Sequence, residues 1–320
     1  MKWRKKGKIF DPYVNVPFNG PDGFAQSPQA LVFEDFVRVY FSTRVKDHIH
    51  GKYLSNISFA DFDRQFSSVL RVAEKEIIPL GKPGCFDEHG IFPMNVLRHN
   101  DKIFAWTCGW NRRVSVSVDT SIGFAVSDDN GLTFKKHGDG PVMTASLNEP
   151  FLVGDPFVNH FEGQFHMWYI FGTKWKKGRI SGIAERVYKI AHAVSADGIN
   201  WHRDGLPIIS DRLGEDECQA LPTVIRTGTR YHMIFCYRYP EDFRKNREKG
   251  YRLGYAWSDD LISWTRDDSK AGIDVSETGW DSDMLCYPHL FSCDGNVCLL
   301  YNGSEFGRYG FGLAILEDEE

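Results

Sequence analysis

Carboxylates gather just ahead of four evenly spaced prolines. Cys85-Phe86-Asp87-Glu88-His89-Gly90 precedes Pro93, and Glu149 to Asp155 precedes Pro156. Gly214-Glu215-Asp216-Glu217 precedes Pro222, and Trp280-Asp281-Ser282-Asp283 precedes Pro288. Acids brought together repel one another, and partial burial adds a desolvation cost, so their pKa values are pushed apart. One can then stay protonated while another stays ionised, the division that glycosidic cleavage requires. No lysine beside them in the chain neutralises these acids. The competing structural account is that Asp is common at turns, where its side chain caps backbone N–H groups.

Aromatic and cationic residues supply the second ingredient. Trp110-Asn111-Arg112, Trp175, Tyr237-Arg238-Tyr239, Arg244, Tyr251-Arg252, Trp280 and Tyr287 fall in loops or at strand ends of the same region. Flat rings stack on the C–H faces of sugars, and Arg and Asn reach hydroxyls or a carboxylate. Arg44, Arg112, Arg238, Arg244 and Arg252 are more than a neutral pentose needs, which points to an anionic or phosphorylated sugar. Any single Arg also serves as a packing stem or a surface ion pair. The candidate substrate-binding set is Gln26, Arg44, Trp110, Tyr237, Arg238, Arg252, Asp281, Asp283, Tyr287 and Asn302.

The elements that must position these residues are set by a repeat. Pro28, Pro93, Pro156, Pro222 and Pro288 each open an apolar run, 63 to 66 residues apart. Such a period in a Trp- and Gly-rich chain signals a radial or stacked architecture. After each proline comes a polar turn and an alternating aromatic strand such as Gln164-Phe165-His166-Met167-Trp168-Tyr169. A small-residue strand follows (Ile122-Gly123-Phe124-Ala125, Ile190-Ala191-His192-Ala193), then a turn and a strand headed by Phe134, Trp201 or Trp264. Proline at a strand's first residue gives up no ladder hydrogen bond. Four strands in each of five repeats predict an all-β, five-bladed β-propeller with antiparallel blades. The last repeat lacks its Trp-headed strand, and Trp3-Arg4-Lys5-Lys6-Gly7-Lys8-Ile9-Phe10 reads like Trp201 to Ile208. Residues 3–10 are therefore expected to complete the last blade; the alternative is a basic tail. The loops before the innermost strands would then converge at one mouth of the axial channel.

Composition narrows the setting. The repeat spans nearly all 320 residues without a linker, so a single domain, 1–320, is expected. A net charge of −5 argues against broad nucleic-acid binding. No apolar run is long enough for a membrane helix, and the basic start lacks the apolar core of an export signal. Seven cysteines, mostly within apolar strands, fit thiols in a reducing cytoplasm, although Cys293 and Cys298 flank a turn across which they could pair. No zinc spacing occurs, and His48 and His50 read as solvated loop residues. The glycines from Gly303 to Gly312 open no helix, so no dinucleotide or P-loop fingerprint is present. No cofactor and no metal are expected.

The pattern as a whole resembles the five-bladed glycoside hydrolase clan of arabinanases, xylosidases, invertases and levansucrases. More closely, it is similar to hydrolase-like propellers of bacterial polysaccharide gene clusters. Tyr40-Phe41-Ser42-Thr43-Arg44, Phe86 to Gly90, Gly109-Trp110-Asn111, Ser195 to Trp201, Gly279 to Met284 and Tyr301-Asn302-Gly303 carry the resemblance. It implies a glycoside hydrolase-like enzyme on a glycan or sugar conjugate, in the cytoplasm that the cysteines suggest. A transferase or phosphorylase, or a carbohydrate-binding propeller without turnover, is the alternative. The clan's general base stands directly before the first-blade proline, where this chain has Ser27. Its pKa-tuning Asp stands before the third proline, matched by Asp155, and its acid two residues before the fourth, where this chain has Ala220. The resemblance then implies Glu217 as general acid and Asp155 as tuner. Asp87 or Glu88 is left as base or nucleophile, with Asp281 and Asp283 on hydroxyls or as a reserve base.

Overall fold

The computed structural model describes residues 1–18, 22–48, 51–177 and 184–317, so His50 lies outside the described residues. Nearly every regular segment is a strand. β1 spans Trp3–Phe10, and β2 (Gln26–Val32), β3 (Val37–Asp47), β4 (Lys52–Phe62) and β5 (Val69–Val72) follow. Next come β6 (Gly90–His99), β7 (Lys102–Arg112), β8 (Val118–Ser127) and β9 (Lys135–Lys136). The third unit is β10 (Val153–Phe161), β11 (Gln164–Lys177), β12 (Ala184–Ser195) and β13 (His202–Arg203). The fourth is β14 (Cys218–Thr227), β15 (Arg230–Arg238), β16 (Arg252–Ser258) and β17 (Thr265–Arg266). The chain ends with β18 (Cys286–Cys293), β19 (Asn296–Asn302) and β20 (Phe311–Leu316). Among the described residues no helix is long and apolar enough to cross a membrane.

Strands pair antiparallel in chain order. β10 to β13 and β14 to β17 form two four-stranded sheets. β2 to β9 form a larger sheet made of two antiparallel units, joined by one parallel pairing of Ser55 with Gly90. The remaining sheet runs β1-β20-β19-β18, with Trp3 opposite Leu316 and Phe10 opposite Phe311. The N-terminal strand thus lies where its sequence places it, against the C-terminal one. First strands pack on first strands: β2 on β6, β6 on β10, β10 on β14, β14 on β18 and β18 on β2.

The aromatic strands are buried on both faces, because each sheet is covered by its neighbours as well as by its own core. Residues Val37 to Thr43 of β3 are all buried despite their alternating pattern. Arg38 is enclosed among them; Asp61 accepts from it at 2.7 Å, and its guanidinium lies 4.2 Å over the Phe59 ring. Phe10 stacks on Phe311 at 5.1 Å and lies 4.9 Å from Phe41, tying the last sheet to the first.

The prolines do not begin their strands, as the sequence suggested; each strand starts two to four residues earlier. The pairing register breaks at every proline, between Gln26 and Gln29, Ile91 and Met94, Gly154 and Phe157, Ala220 and Thr223, and Cys286 and His289. A bulge leaves the extra residue unpaired, so the missing proline N–H costs no ladder bond there. The residue before proline is left-handed in four units: Ser27 (φ 54°), Asp155 (49°), Leu221 (46°) and Tyr287 (56°). Such backbone costs about 1–3 kcal/mol at a non-glycine residue and persists only where the surroundings enforce it. Its effect is to re-aim one side chain per strand.

Candidate functional site

Two of the four re-aimed residues, Asp155 and Tyr287, border a cavity of about 810 Å³; Ser27 and Leu221 do not. Phe92, Asp155 and Tyr287, each directly before a proline, line it, and the Phe92 and Tyr287 rings meet edge to face at 5.2 Å. Of the acids expected from the sequence, Asp155 and Asp283 reach the cavity; of the remaining binding candidates, Gln26, Arg44, Trp110, Arg238 and Tyr287 do.

Asp155 is the buried carboxylate of this wall. Burial pushes it up to about 7, against the pull of the Arg186 charge and of the Leu221 backbone N–H. A group titrating near neutral pH can give or take a proton there. Its approach depends on Gly154, where a Cβ would come within 2.7 Å of the Cys108 sulfur.

The cavity is cationic. Arg44, Arg186, Arg238, Arg244, Lys245 and Arg247 line it, against the carboxylates Asp155, Asp283 and Glu305. Arg44 donates through Nε to Gln26 Oε1 at 2.6 Å. Burial lowers its basicity, and the charges of Arg186 and Arg244 add to that. Among the described residues no carboxylate lies within 4.0 Å of the Arg44 or Arg186 guanidinium nitrogens. Arg244 pairs with Glu185. Arg238 is enclosed, donates to the Tyr188 hydroxyl at 2.9 Å, and lies 3.5 Å over the Phe243 ring. The Tyr188 and Tyr251 hydroxyls are 2.5 Å apart. Burial pushes both phenols up, so they remain hydroxyls at neutral pH.

The other predicted acids are elsewhere. Asp87 is buried and bound to Lys136 at 2.7 Å. Glu217 is buried and accepts from Arg266 at 2.6 Å, from the Arg212 and Leu213 backbones at 2.9 Å, and from Gln219 at 3.0 Å. Asp281 binds Lys5 at 2.8 Å, and Glu149 binds Arg203 at 2.8 Å. The cations do exist, contrary to expectation: each stands two residues past the aromatic heading an outer strand, in Phe134/Lys136, Trp201/Arg203, Trp264/Arg266 and Trp3/Lys5. These acids clamp the first strand of a sheet to its last. Glu88 caps a turn, accepting from the Gly84 backbone at 2.5 Å beside His89 at 3.1 Å.

Three further binding candidates do not line the cavity. The Tyr237 ring packs under the Arg266 guanidinium at 4.6 Å. Arg252 donates to the Tyr251, Asp283 and Arg247 carbonyls, holding two cavity segments together. Asn302 accepts from Ser27 N at 2.7 Å and donates to the Ala25 and Gly310 carbonyls at 2.8 Å, pinning the last sheet to the first.

Arg186 and Tyr188 were not foreseen. Both stand in β12 before Ile190, where the sequence signal began; extending the period-two pattern back would have placed them on one face. Lys245 and Arg247 lie in the 239–251 loop between β15 and β16, where no periodicity marks them.

No protein-family model matches the chain. In fold it is similar to solved β-propeller glycoside hydrolases of the arabinanase and invertase clan. The BT0996 complex with RGII superposes with a TM-score of 0.73 at 16% identity, covering 98% of this chain and 91% of that one. A second structure, described as a glycoside hydrolase, has a TM-score of 0.73 at 15% identity over 99% and 93%. The endo-arabinase from Bacteroides thetaiotaomicron VPI-5482 has a TM-score of 0.64 at 11% identity, over 96% and 98%. By sequence the chain belongs to the family of the uncharacterized proteins MT1551 and Rv1502 of two Mycobacterium tuberculosis strains. Each is 31% identical over 319 residues, 99% of this chain and all of the relative.

Proposed function

We propose that residues 1–320 form one five-bladed propeller closed by the N-terminal strand, and that it acts as a glycoside hydrolase-like enzyme on an anionic glycan or sugar conjugate. The cyclic packing of the first strands and the β1–β20 pairing support the architecture. The observation that carries the chemistry is Asp155, a buried carboxylate titrating near 7 in a cavity where cations outnumber acids. Protonated Asp155 donates to the leaving glycosidic oxygen, a role different from the tuning one that the clan resemblance implies. Trp110, Phe92 and Tyr287 offer faces for sugar rings, the Tyr188–Tyr251 pair offers hydroxyl donors, and the arginines take the negative group. Asp283, exposed at the wall, binds hydroxyls.

Ser27 and Ala220, where the clan carries its base and acid, favour a second reading: a propeller that binds carbohydrate without turnover. One experiment separates the two. Wild type and Asp155→Asn are incubated with acidic oligosaccharides, sugar phosphates and nucleotide sugars, and products are identified by mass. The enzyme reading expects release by the wild type and a loss of about 10²–10⁴ in the variant. Binding without release from any donor, with or without phosphate, would leave only the binding propeller.

A further inference from the structure

We propose that Arg44 and Arg186 seat inorganic phosphate, and that this phosphate, rather than water, attacks the sugar, so that the reaction is a phosphorolysis. The inference rests on the reading of the cavity as a glycan-processing site. Three observations carry it.

Attack by water needs a group to take its proton while a second group protonates the leaving oxygen. The cavity has one buried carboxylate for both tasks. Glu305 is exposed and engaged by Arg308 at 2.9 Å and by the Tyr309 hydroxyl at 3.0 Å, and Asp283 is exposed. Asp87, Glu217 and Asp281 are bound by cations away from the cavity. Phosphate arrives already negative and needs no second carboxylate as base.

The second observation is the pair of arginines. They come from β3 and β12, face one cavity, repel each other, and have no carboxylate within ion-pair distance among the described residues. Like charges that share a cavity without a directly paired carboxylate are unfavourable, and an oxyanion relieves that cost. A guanidinium fork holds phosphate oxygens through parallel N–H bonds, and two can share one phosphate. Arg44 is held in place by Gln26 Oε1 at 2.6 Å, with the Phe24 ring 5.6 Å away.

The third is proximity to the acid. Arg186 and Asp155 line the same cavity and the Arg186 charge pulls on the Asp155 carboxylate, so an anion seated at Arg186 shares the cavity with the proton donor. The step balances. Asp155 gives its proton to the glycosidic oxygen as the C1–O bond breaks. An oxygen of HPO₄²⁻ bonds to C1, and the phosphate proton passes to the Asp155 carboxylate. Glycoside and hydrogen phosphate become glycosyl phosphate and free alcohol, with no oxidation or reduction.

The test has two arms. Inorganic phosphate is titrated calorimetrically into wild type, Arg44→Gln, Arg186→Gln, Arg44→Lys and Asp155→Asn, with folding checked by circular dichroism. Binding should weaken at least about tenfold in both Gln variants, weaken less in Arg44→Lys, which keeps the charge, and persist in Asp155→Asn. Wild type is then incubated with oligosaccharides in phosphate-free and phosphate buffer, and with sugar 1-phosphates plus acceptor sugars. Glycosyl phosphate formed only with phosphate, and phosphate released in the reverse direction, are the expected results. Cleavage at equal rates in both buffers overturns phosphorolysis and leaves the hydrolase reading standing. Phosphate binding indifferent to both Gln variants removes the seat, and sugar phosphates that bind while inorganic phosphate does not assign it to the substrate. Absence of cleavage in every buffer and direction ends both.

Discussion

The Glu217 carboxylate lies 2.6 Å from the Arg266 guanidinium, joining the loop before β14 to β17, the outermost strand of the same sheet. Asp87 with Lys136, Glu149 with Arg203 and Asp281 with Lys5 repeat the relationship in three other sheet units. Acids that by type and number look catalytic are thus used as clamps. In the last unit the clamp cation comes from β1, so the N-terminal strand replaces a fourth strand in charge as well as in backbone pairing.

Breaking this clamp should cost stability and leave chemistry intact. Arg266→Leu strands the buried Glu217 without its cation and leaves Asp268 only the exposed Arg212 at 3.2 Å. A loss of about 3–5 kcal/mol is expected. Glu217→Gln leaves Arg266 bound to Asp268 and should cost about 1–3 kcal/mol. Urea unfolding measures both. A drop in turnover per folded molecule of more than tenfold in Glu217→Gln would restore a catalytic role to Glu217.

Asp155→Asn should change stability in a pH-dependent way. The folded-state pKa is raised from 3.8 to about 7, so the folded protein holds a proton that the unfolded chain releases. The stability from this proton is fully present below about pH 4 and is lost as pH rises through 7. Asn carries no charge to bury. The variant should match wild type near pH 4 and exceed it above pH 7, by up to about 4 kcal/mol. Melting temperatures across that range check the sign.

The histidines titrate in the opposite sense. Burial pushes His289 down to about 4, and burial with the neighbouring His166 does the same to His192. Their contribution is present above 6.5 and is lost as pH falls towards 4. Replacing His289 by Leu should flatten the acid limb of the stability profile, read by unfolding at pH 7 and pH 4.5. An unchanged acid limb would show that His289 does not stay neutral in the fold.

Gly154→Ala should disturb the Asp155 wall. The new Cβ meets the Cys108 sulfur at 2.7 Å and Thr120 Oγ1 at 3.2 Å. Overpacking of this kind costs about 1–3 kcal/mol. Cys108→Ala removes the closer contact, so the double variant should recover much of the loss. Additive losses in the double-mutant cycle would place the strain elsewhere.

Phe10→Ala probes the contact between chain ends. Its ring is buried between Phe311 and Phe41, so removal should cost about 3–5 kcal/mol. Limited proteolysis should then cut within residues 1–10 faster than in wild type.

The strand plan was legible because its signals are local. Period-two aromatics, turn residues such as Ser195-Ala196-Asp197-Gly198, and a Trp-headed strand at the wrong end of the chain each act over a few residues. The clamp cations stand in an equally regular place, two residues past each heading aromatic, but acid and cation lie far apart along the chain, so nothing local pairs them. What the linear order could not decide is which polar side chains share the cavity. Arg44, Arg186, Arg238 and Asp155 come from four different strands. Whether each faces inward depends on a register in which one residue reverses the face. The proline bulges change that register, pointing Asp155 into the cavity while Glu217, four residues before its bulge at Leu221, turns to Arg266. Residue types along the chain therefore determined the sheets and their charge inventory, and only the assembled bulges and the packing of one first strand on the next decided which charges meet.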